Sequence, residues 1–155
     1  MKSKIFEGDK VGRKLKIAVV TAQFNNEITL KLEEGALRNL KKSGLSEKQI
    51  VVVRVPGAFE IPLVVQKLLQ KKSIDGVIAL GAVIRGETTH YDYVCQAVER
   101  GCSGLSLKFK KPVGFGVLTT ESVAQAKARV GGKHGHKGEE VATVVVEMCN
   151  LMRLL

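Results

Sequence analysis

The sequence predicts a single α/β domain built as a three-layer α-β-α sandwich, with helices on both faces of a four-stranded parallel sheet. Three observations support this prediction. Short apolar runs with no polar face alternate along the chain with segments whose apolar residues recur at helical spacing. The resulting order of elements is β-α-β-α-β-α-β-α-α. A chain of 155 residues, of which 45% are hydrophobic, is also long and apolar enough to form one sizeable core.

The first half of the chain supplies a terminal segment, two strands and two helices. Residues 1–14 are largely polar and predict a short added N-terminal strand followed by a turn. Residues 15–21 predict the first central strand. A helix is expected over 27–42, where apolar residues form one stripe and a glycine follows soon after. Residues 50–55 predict a second buried strand, and a Pro-Gly pair ends it before a helix begins at Ala58.

The second half opens with the most apolar stretch of the chain. The run 76–84 contains no polar residue, which predicts a strand buried on both faces at the centre of the sheet. Apolar residues at helical spacing then predict a helix from Thr89 to Lys108. Because glycine weakens helices, Gly101 and Gly104 are expected to bend this helix or to end it early.

The last third of the chain completes the sheet and adds two helices. A fourth strand is predicted over 113–119, directly after a proline. Thr120 is expected to cap a helix over 121–130. The segment VGGKHGHKG at 130–138 predicts a glycine-rich basic loop. The final helix is expected from about Gly138, with one apolar face for core or subunit contacts.

Candidate functional residues gather where strands run into helices. The loop RGETTH at 85–90 follows the buried strand, and open α/β sheets bind ligands at the carboxyl ends of their strands. The amides of Gly86, Glu87 and Thr88 open a helix N-terminus, which attracts phosphate. His90 can both give and take protons near neutral pH. These features predict an enzyme with its reaction centre at this junction.

The residues at the other two junctions allow two interpretations each. Phe24 follows the first strand and is either core packing or a flat apolar face for a heterocycle. Glu60 opens the second helix and either complements the helix dipole or accepts a hydrogen bond from a ligand hydroxyl.

Composition disfavours several other classes of protein. The net charge of +10 allows nucleic-acid binding, but only 5% of residues are aromatic, Trp is absent and no nucleic-acid-binding motif is present. Attraction of anionic substrates is the better use of this charge. No apolar stretch approaches the roughly 20 residues of a membrane helix, and the N-terminus lacks the apolar centre of a signal peptide.

The cysteines and histidines favour neither disulfides nor a metal site. Cys95, Cys102 and Cys149 form no CxxC motif and are predicted to be buried thiols, which indicates a reducing cytoplasm. His134 and His136 lie two residues apart in the basic loop, which makes a poor metal site.

Five blocks of sequence carry a family resemblance. They occur in order and span nearly the whole chain, so together they are far more specific than any one of them. The chain resembles the 6,7-dimethyl-8-ribityllumazine synthase family, which implies a flavodoxin-like fold. The blocks are FNNEIT at 24–29, VPGAFEIP at 55–62, GAVIRGETTHYDY at 81–93, PVGFGVLTTE at 112–121 and KHGHKGEE at 133–140.

The resemblance implies a reaction of riboflavin biosynthesis that needs neither cofactor nor metal. In that reaction 5-amino-6-(D-ribitylamino)uracil condenses with 3,4-dihydroxy-2-butanone 4-phosphate to give 6,7-dimethyl-8-ribityllumazine, phosphate and water. His90 is then the proton-transfer residue, and Arg129 grips the phosphate together with the amides of 86–88. The Glu87 side chain is expected to turn outward, and Glu140 to hold Arg129 in position. Implied substrate contacts are Phe24, Ala58, Phe59, Glu60, Ala82, Val83, Ile84, Phe115 and Lys137.

The family also implies an assembly with sites between subunits. Phe115 is expected to line the pocket of a neighbouring subunit in a homo-pentamer, and residues 1–14 to add to a neighbour's sheet. The compact 130–138 linker resembles that of members which pack twelve pentamers into a hollow shell, with riboflavin synthase as an enclosed partner. Thr89 replaces the usual proline and His136 the usual asparagine. With Gly131-Gly132, these departures are expected to affect the loop geometry more than the chemistry.

Two other classes of function remain as alternatives. One is a flavodoxin-like module that binds a flavin, a lumazine or a nucleotide without chemistry. The other is a structural shell protein or a nucleic-acid packager that uses the basic charge. No dinucleotide-binding fingerprint is present, because GAVIRG has the wrong glycine spacing.

Overall fold

A computed structural model describes all 155 residues and confirms the three-layer α/β sandwich. The four strands are parallel and lie in the order β2-β1-β3-β4, the arrangement of a flavodoxin-like sheet with one strand fewer. The strands are β1 (Ile17–Ala22), β2 (Ile50–Val55), β3 (Gly76–Ile84) and β4 (Val113–Thr120). The helices are α1 (Asn26–Lys42), α2 (Ile61–Leu69), α3 (His90–Phe109), α4 (Val123–Lys127) and α5 (Lys137–Leu154).

The core is divided in two by the sheet, because successive strand residues point to opposite faces. Ile17 and Val19 of β1 belong to the cluster beneath α1 and α5. Ala18 and Val20 belong to the cluster beneath α2 and α3. β1 and most of β3 are buried on both faces, as their continuous apolar runs predict.

β2 differs from its prediction as a buried strand. It is an edge strand, and only Val55 of its residues is fully buried, while Val52 is 40% exposed. An edge strand has a neighbour on one side only, so an apolar run such as IVVVRV can lie there half covered.

The predicted N-terminal strand is not formed within the chain. Residues 1–16 contain no strand and pair with neither edge of the sheet. This segment lies against α5 instead, where the Asn150 side-chain amide donates to the backbone oxygens of Asp9 (3.0 Å) and Val11 (2.9 Å). Pairing of this arm with a neighbouring subunit stays a prediction.

The segment after β4 corrects two further predictions. α4 covers only Val123–Lys127, and Ser122 is its cap because the Ser122 hydroxyl accepts from the Gln125 N–H at 3.2 Å. Thr120 still belongs to β4, so it cannot cap the helix. The predicted basic loop contains a short antiparallel hairpin of β5 (Val130–Gly132) and β6 (Gly135–His136), with Gly131 and Gly135 at positive φ.

α3 is longer and more regular than its glycines predict, since it runs unbroken from His90 to Phe109. Gly101 allows α2 to approach closely: a Cβ at this position would lie 2.6 Å from Cγ of Pro62. A Cβ at Gly104 would meet nothing within 4 Å. The first glycine is therefore required by packing and the second is not.

Gly101→Ala is expected to lower the free energy of unfolding by about 1–3 kcal/mol, because overpacking forces α2 and α3 apart. Gly104→Ala is the matched control on the same helix. It is expected to raise the free energy of unfolding by up to about 1 kcal/mol, because alanine favours a helix more than glycine does. Urea unfolding at a fixed protein concentration measures both changes. Equal effects of the two substitutions would contradict the close packing at Gly101.

The cysteines match their prediction in part. All three are free, Cys102 and Cys149 are buried, and Cys95 is half-buried. Burial raises the pKa of the Cys102 and Cys149 thiols to about 12, so both stay protonated at neutral pH.

None of the helices combines the length and the apolar character needed to cross a bilayer.

Candidate functional site

A cavity of about 530 Å³ opens at the carboxyl ends of β1 and β3. β2 lies beside β1 on one side, and the chain then returns so that β3 lies beside β1 on the other. The strand order therefore reverses at this point. Such a switch point is where open α/β sheets bind ligands. The predicted site residues that line it are Phe24, Ala58, Phe59, Glu60, Ala82, Val83, Ile84, Gly86, Thr88 and His90.

Two phenylalanines present open aromatic faces at this cavity. Phe24 is 72% exposed and Phe59 is 62% exposed, although both are large apolar residues. The backbone holds Phe24 in place, because its N–H donates to the oxygen of Pro56 at 2.9 Å. Exposed aromatic faces in a concave site are suited to stacking on a flat heterocycle.

Asn25 connects two of the junctions, a role that the sequence analysis missed. It lies at the start of α1 in the left-handed conformation (φ 62°), and its side chain does not cap the helix. Its amide instead donates to the backbone oxygen of Ala82 at 2.8 Å, which ties the end of β1 to the end of β3. The one signal in the sequence that points to this position is the residue type, because asparagine tolerates the left-handed conformation better than most residues.

The loop between β3 and α3 offers free hydrogen-bond donors. The N–H groups of Gly86, Glu87 and Thr88 donate to no acceptor within the chain. A Cβ on Gly86 would meet no atom within 4 Å, so the loop is open to a ligand. Glu87 is exposed and does not line the cavity. These amides precede the N-terminus of α3, whose dipole favours an anion.

His90 is the first residue of α3 and lies on the cavity wall, where it is exposed. Its backbone N–H donates weakly to the Thr88 hydroxyl, at 3.4 Å. Beside it, Tyr91 also lines the cavity. Burial raises the pKa of Tyr91, so its phenol stays protonated at neutral pH and can donate a hydrogen bond. Sequence reasoning overlooked Tyr91 because its helical spacing indicated only core packing.

The remaining predicted residues lie elsewhere. Phe115, Arg129 and Lys137 line a second cavity of about 300 Å³ beside the edge strand β4. The two cavities share no lining residue. The chain therefore does not bring Arg129 or Phe115 together with His90 in one pocket.

The second cavity holds a guanidinium without a carboxylate partner. The Arg129 side chain makes one hydrogen bond, from Nη1 to the backbone oxygen of Gln125 at 2.8 Å, and no salt bridge. Glu140 lies 3.5 Å from Nζ of Lys137, so within the chain it pairs with Lys137 rather than with Arg129. A half-buried arginine without an acidic partner can accept an external anion in bidentate fashion.

His136, which stands where the family usually has asparagine, has a structural role in the hairpin. Nδ1 of His136 accepts from the Glu139 N–H at 3.4 Å and caps α5. Its ring lies against Gly35 of α1, where a Cβ would clash. His136 therefore fixes the start of α5 directly before Lys137. The chain contains no cluster of three or more histidine, cysteine or acidic side chains that could hold a metal ion.

The fold and the cavities define an α/β protein with an open cavity at the switch point of its parallel sheet, the place where such folds bind ligands. Open aromatic faces, free amides and a histidine meet in that cavity. The sequence profile of the family described as 6,7-dimethyl-8-ribityllumazine synthase matches residues 14–153. The chain therefore belongs to the 6,7-dimethyl-8-ribityllumazine synthase family.

Proposed function

We propose that the protein condenses 5-amino-6-(D-ribitylamino)uracil with 3,4-dihydroxy-2-butanone 4-phosphate to form 6,7-dimethyl-8-ribityllumazine, with release of phosphate and water. The single observation that carries this proposal is the composition of the switch-point cavity in a chain of this family. Its aromatic faces suit the pyrimidine ring, its amides suit the phosphate, and its histidine suits proton transfer.

The proposed chemistry consists of condensation and elimination steps that move protons. The amine of the uracil attacks the ketone, and loss of water gives an imine. Phosphate then leaves, and ring closure releases a second water. His90 carries protons between the reacting groups, because an imidazole exchanges protons readily near neutral pH. None of these proposed steps requires a cofactor.

The uracil is proposed to lie against Phe24, with its ribityl chain near the 58–60 turn. That turn follows β2, and Ala58 at its start is buried, which fixes its backbone. The Glu60 carboxylate can accept a hydrogen bond from a ribityl hydroxyl. Residues 82–84, at the end of β3, also line the cavity, and their backbone groups can contact the ring.

The second half of the site is proposed to come from a neighbouring subunit of a homo-pentamer. The separation of the two cavities within one chain supports this arrangement. Phe115 lies on the edge strand β4 and is 37% exposed, so another chain can reach it. Arg129 and Lys137 of one chain would complete the switch-point cavity of the next. A shell of twelve pentamers that encloses riboflavin synthase is a further step of the same proposal.

Mixing the purified protein with the two substrates tests the proposed reaction. Formation of lumazine, followed by its absorbance, together with stoichiometric release of orthophosphate is the expected result. The alternative, a flavodoxin-like binding module, predicts tight binding of the lumazine without turnover. That outcome would contradict the synthase function.

A further inference from the structure

Arg85 forms a cluster of contacts that the proposed reaction does not use. It directly follows β3, and its side chain reaches two carboxylates. Nη2 lies 3.3 Å from Oδ1 of Asp92, and Nε lies 2.8 Å from Oε2 of Glu121. The guanidinium also stacks on Tyr91, with its central carbon 4.2 Å from the centroid of the ring. One side chain therefore holds three others.

The partners of Arg85 belong to two different junctions. Asp92 lies in the first turn of α3, directly after the loop 86–89. Glu121 follows the last residue of β4, on the way to α4. The Arg85 N–H adds a 2.9 Å bond to the oxygen of Thr120, which lines the second cavity. Arg85 thus ties the wall of one cavity to the wall of the other.

Arg85 also lowers the negative charge in this region, because its guanidinium offsets one of the two carboxylate charges of the cluster. Without the guanidinium, the carboxylates of Asp92 and Glu121 would stand unpaired beside the loop that offers its amides to a ligand. Hydrogen bonds to Glu121 and then to Asp92 raise the pKa of Arg85, so its charge persists at all relevant pH values. No other basic side chain pairs with either carboxylate.

We propose that Arg85 is a positioning residue that holds the 86–89 loop in its phosphate-binding form and offsets part of the negative charge of the two carboxylates beside it. The identification of the anion as the phosphate of the substrate rests on the proposed function. The clamp itself rests on the contacts of Arg85 with Tyr91, Asp92 and Glu121.

Arg85→Gln removes the charge and the clamp while leaving the loop sequence intact. We expect the dissociation constant of orthophosphate, measured by calorimetry, to rise about tenfold, because a charge-assisted network is lost. KM for the phosphate substrate should rise by a similar factor, and KM for the uracil should change by less than about twofold. Arg85→Lys keeps the charge but loses the fork and the stacking, so it should restore only part of the affinity.

Arg153→Gln is the matched control. Arg153 also pairs with a carboxylate, that of Asp75 at 3.2 Å, but at the opposite end of β3. The Arg153→Gln substitution should leave both the orthophosphate affinity and the two KM values unchanged. Sedimentation of each variant checks that it keeps the assembly of the wild type.

Three results would overturn the role of Arg85. These are unchanged orthophosphate affinity in Arg85→Gln, an equal rise in KM for both substrates, and failure of the wild-type protein to bind orthophosphate. The calorimetric comparison does not depend on turnover. A wild-type protein whose orthophosphate affinity depends on Arg85 but that makes no lumazine would contradict the proposed reaction and leave the positioning role standing.

Discussion

Replacing His90 with alanine is expected to lower kcat by about 10- to 10³-fold, a range that extends below the roughly 10²- to 10⁴-fold typical of general acid–base catalysis. The condensation of an amine with a ketone also proceeds slowly without a catalyst, so the loss should be modest and a residual rate should remain. KM for both substrates should change by less than about threefold, because aromatic stacking and phosphate contacts are untouched. Steady-state kinetics with each substrate varied in turn provides the measurement.

His134→Ala is the control for this substitution. His134 is exposed in the hairpin between β5 and β6 and lines neither cavity. Its kcat should equal that of the wild type. An unchanged kcat in His90→Ala, or an equal loss in both variants, would show that His90 does not transfer protons.

Arg129→Ala is expected to raise KM for the phosphate substrate by about 10- to 10²-fold, because a bidentate, charge-assisted contact is removed. KM for the uracil should stay within about twofold of the wild-type value. Initial rates over a range of phosphate substrate at saturating uracil provide the measurement. KM of Arg129→Lys for the phosphate substrate should fall between those of the wild type and Arg129→Ala, since an ammonium keeps the charge but cannot form the bidentate contact.

Lys127→Ala controls for the general loss of positive charge. Lys127 is an exposed residue at the end of α4 and does not line the second cavity. It should change KM little. A rise in KM for the uracil instead of the phosphate substrate in Arg129→Ala would mean that the arginine contacts a different part of the ligand.

The elements that the sequence predicts well are those with a local signal. The uninterrupted apolar run of β3 matches its observed bounds, Gly76–Ile84, because burial on both faces leaves no place for a polar residue. β2 is also apolar apart from Arg54, yet it lies at an edge. The position of a strand in a sheet depends on the order in which strands pair, and the local pattern does not encode that order.

The site shows the same division between local and distant contacts. The strand-to-helix junctions place Phe24, the 58–60 turn and His90 around one cavity, as the alternation of strands and helices predicts. The contact of Asn25 with Ala82 and that of Arg85 with Glu121 join residues far apart in sequence. Such contacts leave no periodic trace, so only the folded structure shows them.

The central claim is that one reaction site takes His90 from one subunit and Arg129 from its neighbour. Co-expression of His90→Ala and Arg129→Ala subunits, each of low activity alone at low phosphate substrate, tests it directly. In mixed assemblies, about one quarter of the sites should combine two intact halves and recover activity in that proportion. Mixed assemblies no more active than the average of the two variants would contradict a site shared between subunits.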